Sequence, residues 1–207
     1  MKILLINPPA ENTVIENPDE YGEEFLEGDD FGDFPPLGAL YVLSHCEEHT
    51  QGHEFFFLDC VGERISHLEL GSRIKEIMPD VAGVTSFTVS LVDVCKCAEI
   101  IREIVPDVHL CLGGHHPIAY PYEAAQLPQF DSIVVGEGEE AFTELVGALE
   151  HHENIDEVEI KGVYTRVSIE QYVDKPFRDK RFLARITVPP AYIEDIVKIS
   201  VPNRKYI

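Results

Sequence analysis

The chain has 207 residues, 44% of them hydrophobic, enough for one domain of ordinary size with a single sizeable core. Its formal net charge of −22 opposes non-specific binding to nucleic acid phosphates, and apolar runs such as Ile3 to Ile6 and Phe55 to Leu58 are too short to span a bilayer. Met1-Lys2 leads into a strand pattern instead of a signal peptide, and Cys46, Cys60, Cys95, Cys97 and Cys111 form an odd set without a disulfide framework, so the chain reads as a soluble cytoplasmic protein.

Lys2 to Ile6 predicts a buried strand that Asn7-Pro8-Pro9 stops, because proline neither donates to a ladder nor continues it. Glu11 to Asp33 then carries ten acidic residues and no basic one, interrupted by Tyr21, Phe25 and Phe31. It reads either as a solvated excursion or as a lid over a crevice. Pro35-Pro36 opens a helix whose apolar face, Leu37, Leu40, Tyr41 and Leu43, runs to about His49. A second strand spans Glu54 to Leu58, and a helix near Ile65 to Met78 ends at Pro79. Val81 to Val84 is the third strand, followed by Thr85 to Ser90 and a helix from about Leu91 to Val105.

A fourth strand, Val108 to Leu112, meets Gly113-Gly114-His115-His116-Pro117, which reads as a loop where glycine lets the backbone approach a ligand closely. A short helix near Tyr122 to Leu127 precedes a fifth strand, Ser132 to Val135. Gly136-Glu137-Gly138-Glu139 is its strand-end loop, and a helix follows from about Glu140 to Glu150. Strand and helix alternate five times, which implies a parallel sheet covered by helices on both faces. Right-handed crossovers leave few arrangements for five such units; the order 2-1-3-4-5 is expected, and open α/β sheets bind ligands at the carboxyl ends of the strands. Residues 1–160 form this α/β domain. Residues 161–207 form an irregular, loosely attached appendage in which Gly162 to Thr165 shows a strand pattern. The appendage holds ten Lys and Arg against five acids, while the body holds six against 33, so the basic stretch Lys175 to Arg185 is a candidate contact for a partner.

Three motifs invite chemistry that their context argues against. Gly136-Glu-Gly-Glu-Glu-Ala141 matches a loose dinucleotide fingerprint, but it follows the last strand, and its carboxylates would repel a pyrophosphate. His109, Cys111, His115 and His116 cluster in sequence, yet two lie on a strand and two beyond it, so they do not converge on one metal ion. Ser86, Thr88 and Ser90 lack the Gly-x-Ser-x-Gly elbow of a hydrolase nucleophile; they satisfy helix-start donors or grip a polar ligand.

Ile3-Leu-Leu-Ile-Asn-Pro-Pro9, Pro35-Pro-Leu-Gly-Ala-Leu40, Gly52-His-Glu54, Gly83-Val-Thr-Ser86, Leu112-Gly-Gly-His-His-Pro117 and Ile133-Val-Val-Gly-Glu-Gly-Glu139, in this order and spacing, resemble the cobalamin-binding domain at the amino end of many radical S-adenosylmethionine enzymes. The resemblance covers about residues 1 to 165. It implies a flavodoxin-like, Rossmann-like fold with cobalamin across the carboxyl ends of the strands and its nucleotide tail threaded between loops. Asn7, Pro8, Leu37 and Gly38 are then expected as walls. Thr85, Ser86, Thr88, Ser90, Gly113, Gly114 and the Gly136, Glu137, Gly138, Glu139 loop serve the corrin amides and the tail. Phe87 and Leu91 pack beside the macrocycle, and His115, His116 and Pro117 touch the tail or the corrin rim.

Cobalamin domains of methyltransferases and mutases carry Asp-x-His-x-x-Gly, whose histidine ligates cobalt from below. Here the corresponding stretch reads Asp33-Phe-Pro35-Pro-Leu-Gly38, so proline stands at the ligand position and no lower histidine ligand is expected from it. Their Ser-x-Leu motif corresponds to Ser86-Phe87-Thr88. The Cys-x-x-x-Cys-x-x-Cys of radical enzymes is absent, so no iron–sulfur cluster is expected in this chain. A cobalamin carrier serving a radical barrel domain or subunit is the expectation; a module that kept the fold and lost the cofactor is the alternative.

Overall fold

The structure, a computed structural model, describes residues 1–12, 36–173 and 187–206. Five strands, β1 (Lys2–Asn7), β2 (Glu54–Asp59), β3 (Val81–Ser86), β4 (His109–Gly114) and β5 (Ser132–Val134), run parallel in the expected order. A sixth, β6 (Val163–Tyr164), extends the order to 2-1-3-4-5-6 and lies antiparallel on β5. Five strands were expected; the sixth forms because the backbone at Gly162, with φ of +81°, turns Val163 and Tyr164 back along the β5 edge.

The strands are apolar on both sides, so helices cover both faces. One layer holds α1 (Leu37–His49) and α6 (Gly138–Glu150). The other holds α2 (His67–Ile77), α3 (Leu91–Ile104) and α5 (Pro121–Ala125). A one-turn α4 (His115–Ala119) precedes α5. Side-chain alternation divides the core: Leu4, Ile6, Ala82, Val84, Leu110 and Leu112 face α2 and α3, while Ile3, Leu5, Val81, Cys111 and Val134 face α1 and α6.

Local signals set most boundaries. Ser66 and Glu69 make a capping box at the start of α2, the Glu69 amide donating to Ser66 Oγ at 3.3 Å and the Ser66 amide to Glu69 Oε2 at 3.0 Å. Two expected loops are partly regular. Gly113 and Gly114 close β4 and His115 opens α4, since Thr85 and Ser86 of β3 pair with the two glycines. Gly138 and Glu139 belong to the first turn of α6, where acidic groups suit the positive helix end. In the described part of the tail, Val188, Ala191 and Ser200 are buried, while Ile196, Val197 and Val201 are exposed. The acidic stretch after Asn12, with Asp33 and the following Pro35, lies outside the described residues, as does Lys175 to Arg185.

Candidate functional site

A cleft of about 560 Å3 opens at the carboxyl ends of β1, β3, β4 and β5, between the sheet and helices α1 and α6. Its size lies within the ordinary range for ligand pockets. Strand register builds it in layers. Leu5, Gly83 and Cys111 stand side by side in the ladder and form the deep row, and Phe142 of α6 and Val42 of α1 wall it. Two residues further along each strand come Asn7, Thr85 and Gly113, the shallow row, followed outward by Leu37, Phe87, His115 and Ile118 at the mouth.

Small residues keep the space open. A Cβ on Gly113 or on Gly38 would meet nothing within 4 Å, so both positions face the cleft. Gly114 does a different job: its φ is +89°, and a Cβ there would stand 2.6 Å from the Ser86 backbone, so only glycine lets β4 end this close to β3. The deep row is apolar apart from the Cys111 thiol, which burial pushes up to about 12.

Polar groups gather further out. Asn7 Nδ2 donates to Asp59 Oδ1 at 2.7 Å, which orients the amide. Glu137 and Glu139 line the wall at the start of α6. Burial, with Glu137 and Glu140 nearby, holds the Glu139 carboxyl above its ordinary value. The Phe87 and His115 rings stack at 4.6 Å and 12° on one rim, with Phe87 half exposed.

The structure brings Asn7, Leu37, Gly38, Thr85, Phe87, Gly113, Gly114, His115 and the Gly136 to Glu139 stretch to the cleft. Pro8, Ser86, Thr88, Ser90, Leu91, His116 and Pro117 do not line it. Ser86 Oγ instead donates to the Gly113 carbonyl at 2.7 Å, tying β3 to β4. Ser90 Oγ accepts the Phe87 amide at 3.1 Å, and Leu91 packs into the opposite core. His116 is fully buried, with Thr88 Oγ1 3.3 Å from Nδ1 and the Tyr120 ring 5.7 Å away; burial lowers its pKa. Among the described residues, no three His, Cys, Asp or Glu side chains are placed to hold a metal ion.

Sequence reading missed Leu5, Val42, Gly83, Cys111, Val134 and Phe142. Period-two alternation carried the signal for the strand positions, since stepping back two residues from Asn7, Thr85 and Gly113 reaches the deep row. Val42 and Phe142 carried none, because helix faces reveal which side is apolar but not which part of that side stops short of the sheet.

The family model described as the B12-binding domain matches residues 29–146, more than half of the chain. This chain belongs to the B12-binding domain family. It is 32% identical over 150 residues to an uncharacterised methyltransferase of Pyrococcus horikoshii, a match covering 72% of this chain and 29% of that protein. It is 30% identical over 122 residues to the anaerobic magnesium-protoporphyrin IX monomethyl ester cyclase of Cereibacter sphaeroides, covering 58% and 19%. Among solved structures, the radical S-adenosylmethionine methyltransferase TsrM from Kitasatospora setae, with cobalamin and a 4Fe–4S cluster bound, superposes with a TM-score of 0.58. That match has 22% identity and covers 78% of this chain and 26% of that one. The chain thus spans less than a third of these relatives' own length. Among its described residues, no helix is long and apolar enough to cross a membrane.

Proposed function

We propose that the chain holds cobalamin in the cleft and presents it to a radical S-adenosylmethionine barrel, carrying a methyl group or electrons for a methyltransferase or related enzyme. The observation that carries the reading is the open space over Gly113 at the carboxyl ends of the parallel strands, flanked by an apolar deep row and a polar shallow row. A flat aromatic base would suit the deep row of Leu5, Gly83, Cys111 and Phe142, which is apolar apart from one thiol. Asn7 and Thr85 in the shallow row would offer polar partners to the amide and ribose groups of cobalamin. Phe87, Leu37 and Ile118 give the corrin an apolar rim at the mouth.

When bound, cobalamin supplies a cobalt centre that exchanges methyl groups or electrons; the protein's residues orient it. Pro35 has no ligating atom at the position that resembles the histidine site, so this position would supply no histidine to a bound cobalamin. Reductive cleavage of S-adenosylmethionine falls to a barrel domain or partner. Burial raises the thiols of Cys46 to about 11 and of Cys60 and Cys111 to about 12, and raises Cys97 well above its ordinary value. Among the described residues no three His, Cys, Asp or Glu side chains converge, whereas cluster ligation needs three converging thiolates.

Titration with hydroxocobalamin tests the reading. The cobalamin absorption spectrum should shift, and the chromophore should co-elute with the protein in gel filtration. No shift at millimolar ligand would overturn it. For the reduced cobalt(II) form, electron paramagnetic resonance should lack a nitrogen superhyperfine pattern from a histidine; a pattern abolished by His115→Ala or His116→Ala would show that histidine does ligate.

A further inference from the structure

We propose that the C-terminal segment 187–206 is a positioning element for the cleft, setting the place of the Gly136 to Glu139 wall. The inference rests on the cleft being the cobalamin site and adds to it a dependence on residues outside the matched family region.

The sequence Val188-Pro189-Pro190-Ala191 favours an extended path, since the prolines fix φ and give up their donors. That path runs beside the end of β5. The Ala191 amide donates to the Val135 carbonyl at 2.8 Å, and the Glu137 amide donates to the Ala191 carbonyl at 3.0 Å, a parallel bridge centred on Gly136. The Ile193 amide donates to the Glu137 carboxylate, and the Tyr164 hydroxyl to the Pro189 carbonyl. Glu137 lines the cleft, yet its amide and carboxylate are both held from behind by the tail.

Gly136 and Gly162 make the approach possible. Both have positive φ, and a Cβ would stand 2.3 Å from the Ala191 carbonyl oxygen at Gly136 and 2.7 Å from the Ala191 nitrogen at Gly162. Further on, the same segment reaches the other wall of the cleft. The Asn203 amide donates to Ser44 Oγ of α1 at 2.7 Å, and the Tyr206 hydroxyl donates to Glu47 at 2.9 Å, where Lys205 also pairs. Buried Ser200 lies beside buried His45. One segment is therefore bonded to α1 and to the start of α6, the two helices that wall the cleft. A shift of the tail moves the backbone of Gly136 and Glu137. Ligand affinity and tail docking are then coupled, and the coupling acts in both directions.

The experiment uses the whole chain and the variant Gly162→Ala, whose added methyl pushes on Ala191 from a position outside the cleft. Amide hydrogen exchange at Glu137 in the ligand-free variant should accelerate, and the dissociation constant for hydroxocobalamin should rise about tenfold, a typical allosteric coupling. The double variant Ser44→Ala, Glu47→Gln releases the far end and should weaken binding about threefold, within the same range of coupling; it serves should Gly162→Ala not fold. In the wild type, saturating hydroxocobalamin should slow exchange at Ala191 and Ile193. A tail that is merely structural would lower the melting temperature and leave the dissociation constant and ligand-dependent exchange unchanged, which overturns the proposal. A wild type that binds no cobalamin overturns the cobalamin reading instead. Exchange at Glu137 then decides the tail's role, and an unaltered rate in Gly162→Ala would end it.

Discussion

The two faces of one sheet differ in what they leave empty. Toward α2 and α3, the strands present Leu4, Ile6, Ala82, Val84, Leu110 and Leu112, and Leu70, Ile74, Val94, Cys97 and Ile101 of the helices fill the layer. Even its buried charge is paired: Asp93 accepts from the Asn12 amide at 2.8 Å and side chain at 2.6 Å, and lies 2.8 Å from His67 Nε2. Toward α1 and α6, the same strands alternate to Leu5, Gly83, Cys111 and Gly113, and the helices pack only away from the strand ends. Parallel sheets need both faces covered for stability, but the cover need not reach the carboxyl edge on both. The packed face stabilises the fold, and the incompletely filled face leaves the cleft open.

The largest effect should come from Leu110→Ala on the packed face. Leu110 is fully buried, so its truncation should cost about 2–5 kcal/mol of unfolding free energy in urea melts. Cobalamin affinity of the protein that remains folded should stay within a factor of two or so, because the Leu110 side chain points into the layer on the other face of the sheet from the cleft. Gly113→Leu is the converse. Nothing lies within 4 Å of its Cβ position, so stability should change by less than about 0.5 kcal/mol while binding falls at least about a hundredfold, roughly 3 kcal/mol. If Gly113→Leu unfolds the chain instead, the two faces are not separable in this way.

Asp93→Asn sharpens the comparison from the other side. Burial pushes the Asp93 carboxyl upward, but hydrogen bonds from Asn12 and His67 outweigh it and hold the pKa below the ordinary value. A carboxylate depressed in the folded state contributes stability above its unfolded pKa, near 3.9, and loses it as pH falls through the lower folded value. The variant should lose about 1–3 kcal/mol at pH 7, and the gap should close below about pH 4 in denaturant titrations against pH. A constant gap across that window would place the cost in geometry and not in charge. Cobalamin binding should be unchanged at neutral pH, since Asp93 lies on the face away from the cleft.

Much of this was legible in the order of residues. Five apolar runs alternating with helical patterns dictate the parallel sheet and its helix-covered faces, because each element must bury its apolar side and right-handed crossovers prune the alternatives. The glycine pair after β4 and the Asn-Pro-Pro after β1 mark strand ends, and strand ends are where an open α/β sheet offers a crevice. Local chemistry could not say which hydroxyls reach the ligand. Ser86 found a backbone partner across the sheet on β4 and Ser90 one within its own turn, and His116 went inward while the adjacent His115 went to the rim. Nor could it reveal that Val42 and Phe142 close the deep end, or that Ala191 returns to the Gly136 loop. Those outcomes depend on contacts between residues distant in the chain, set by how two helices and a returning segment fill space around the strand ends. Periodicity identifies the side of an element that is buried, and only the assembled layers decide where burial stops and a cavity begins.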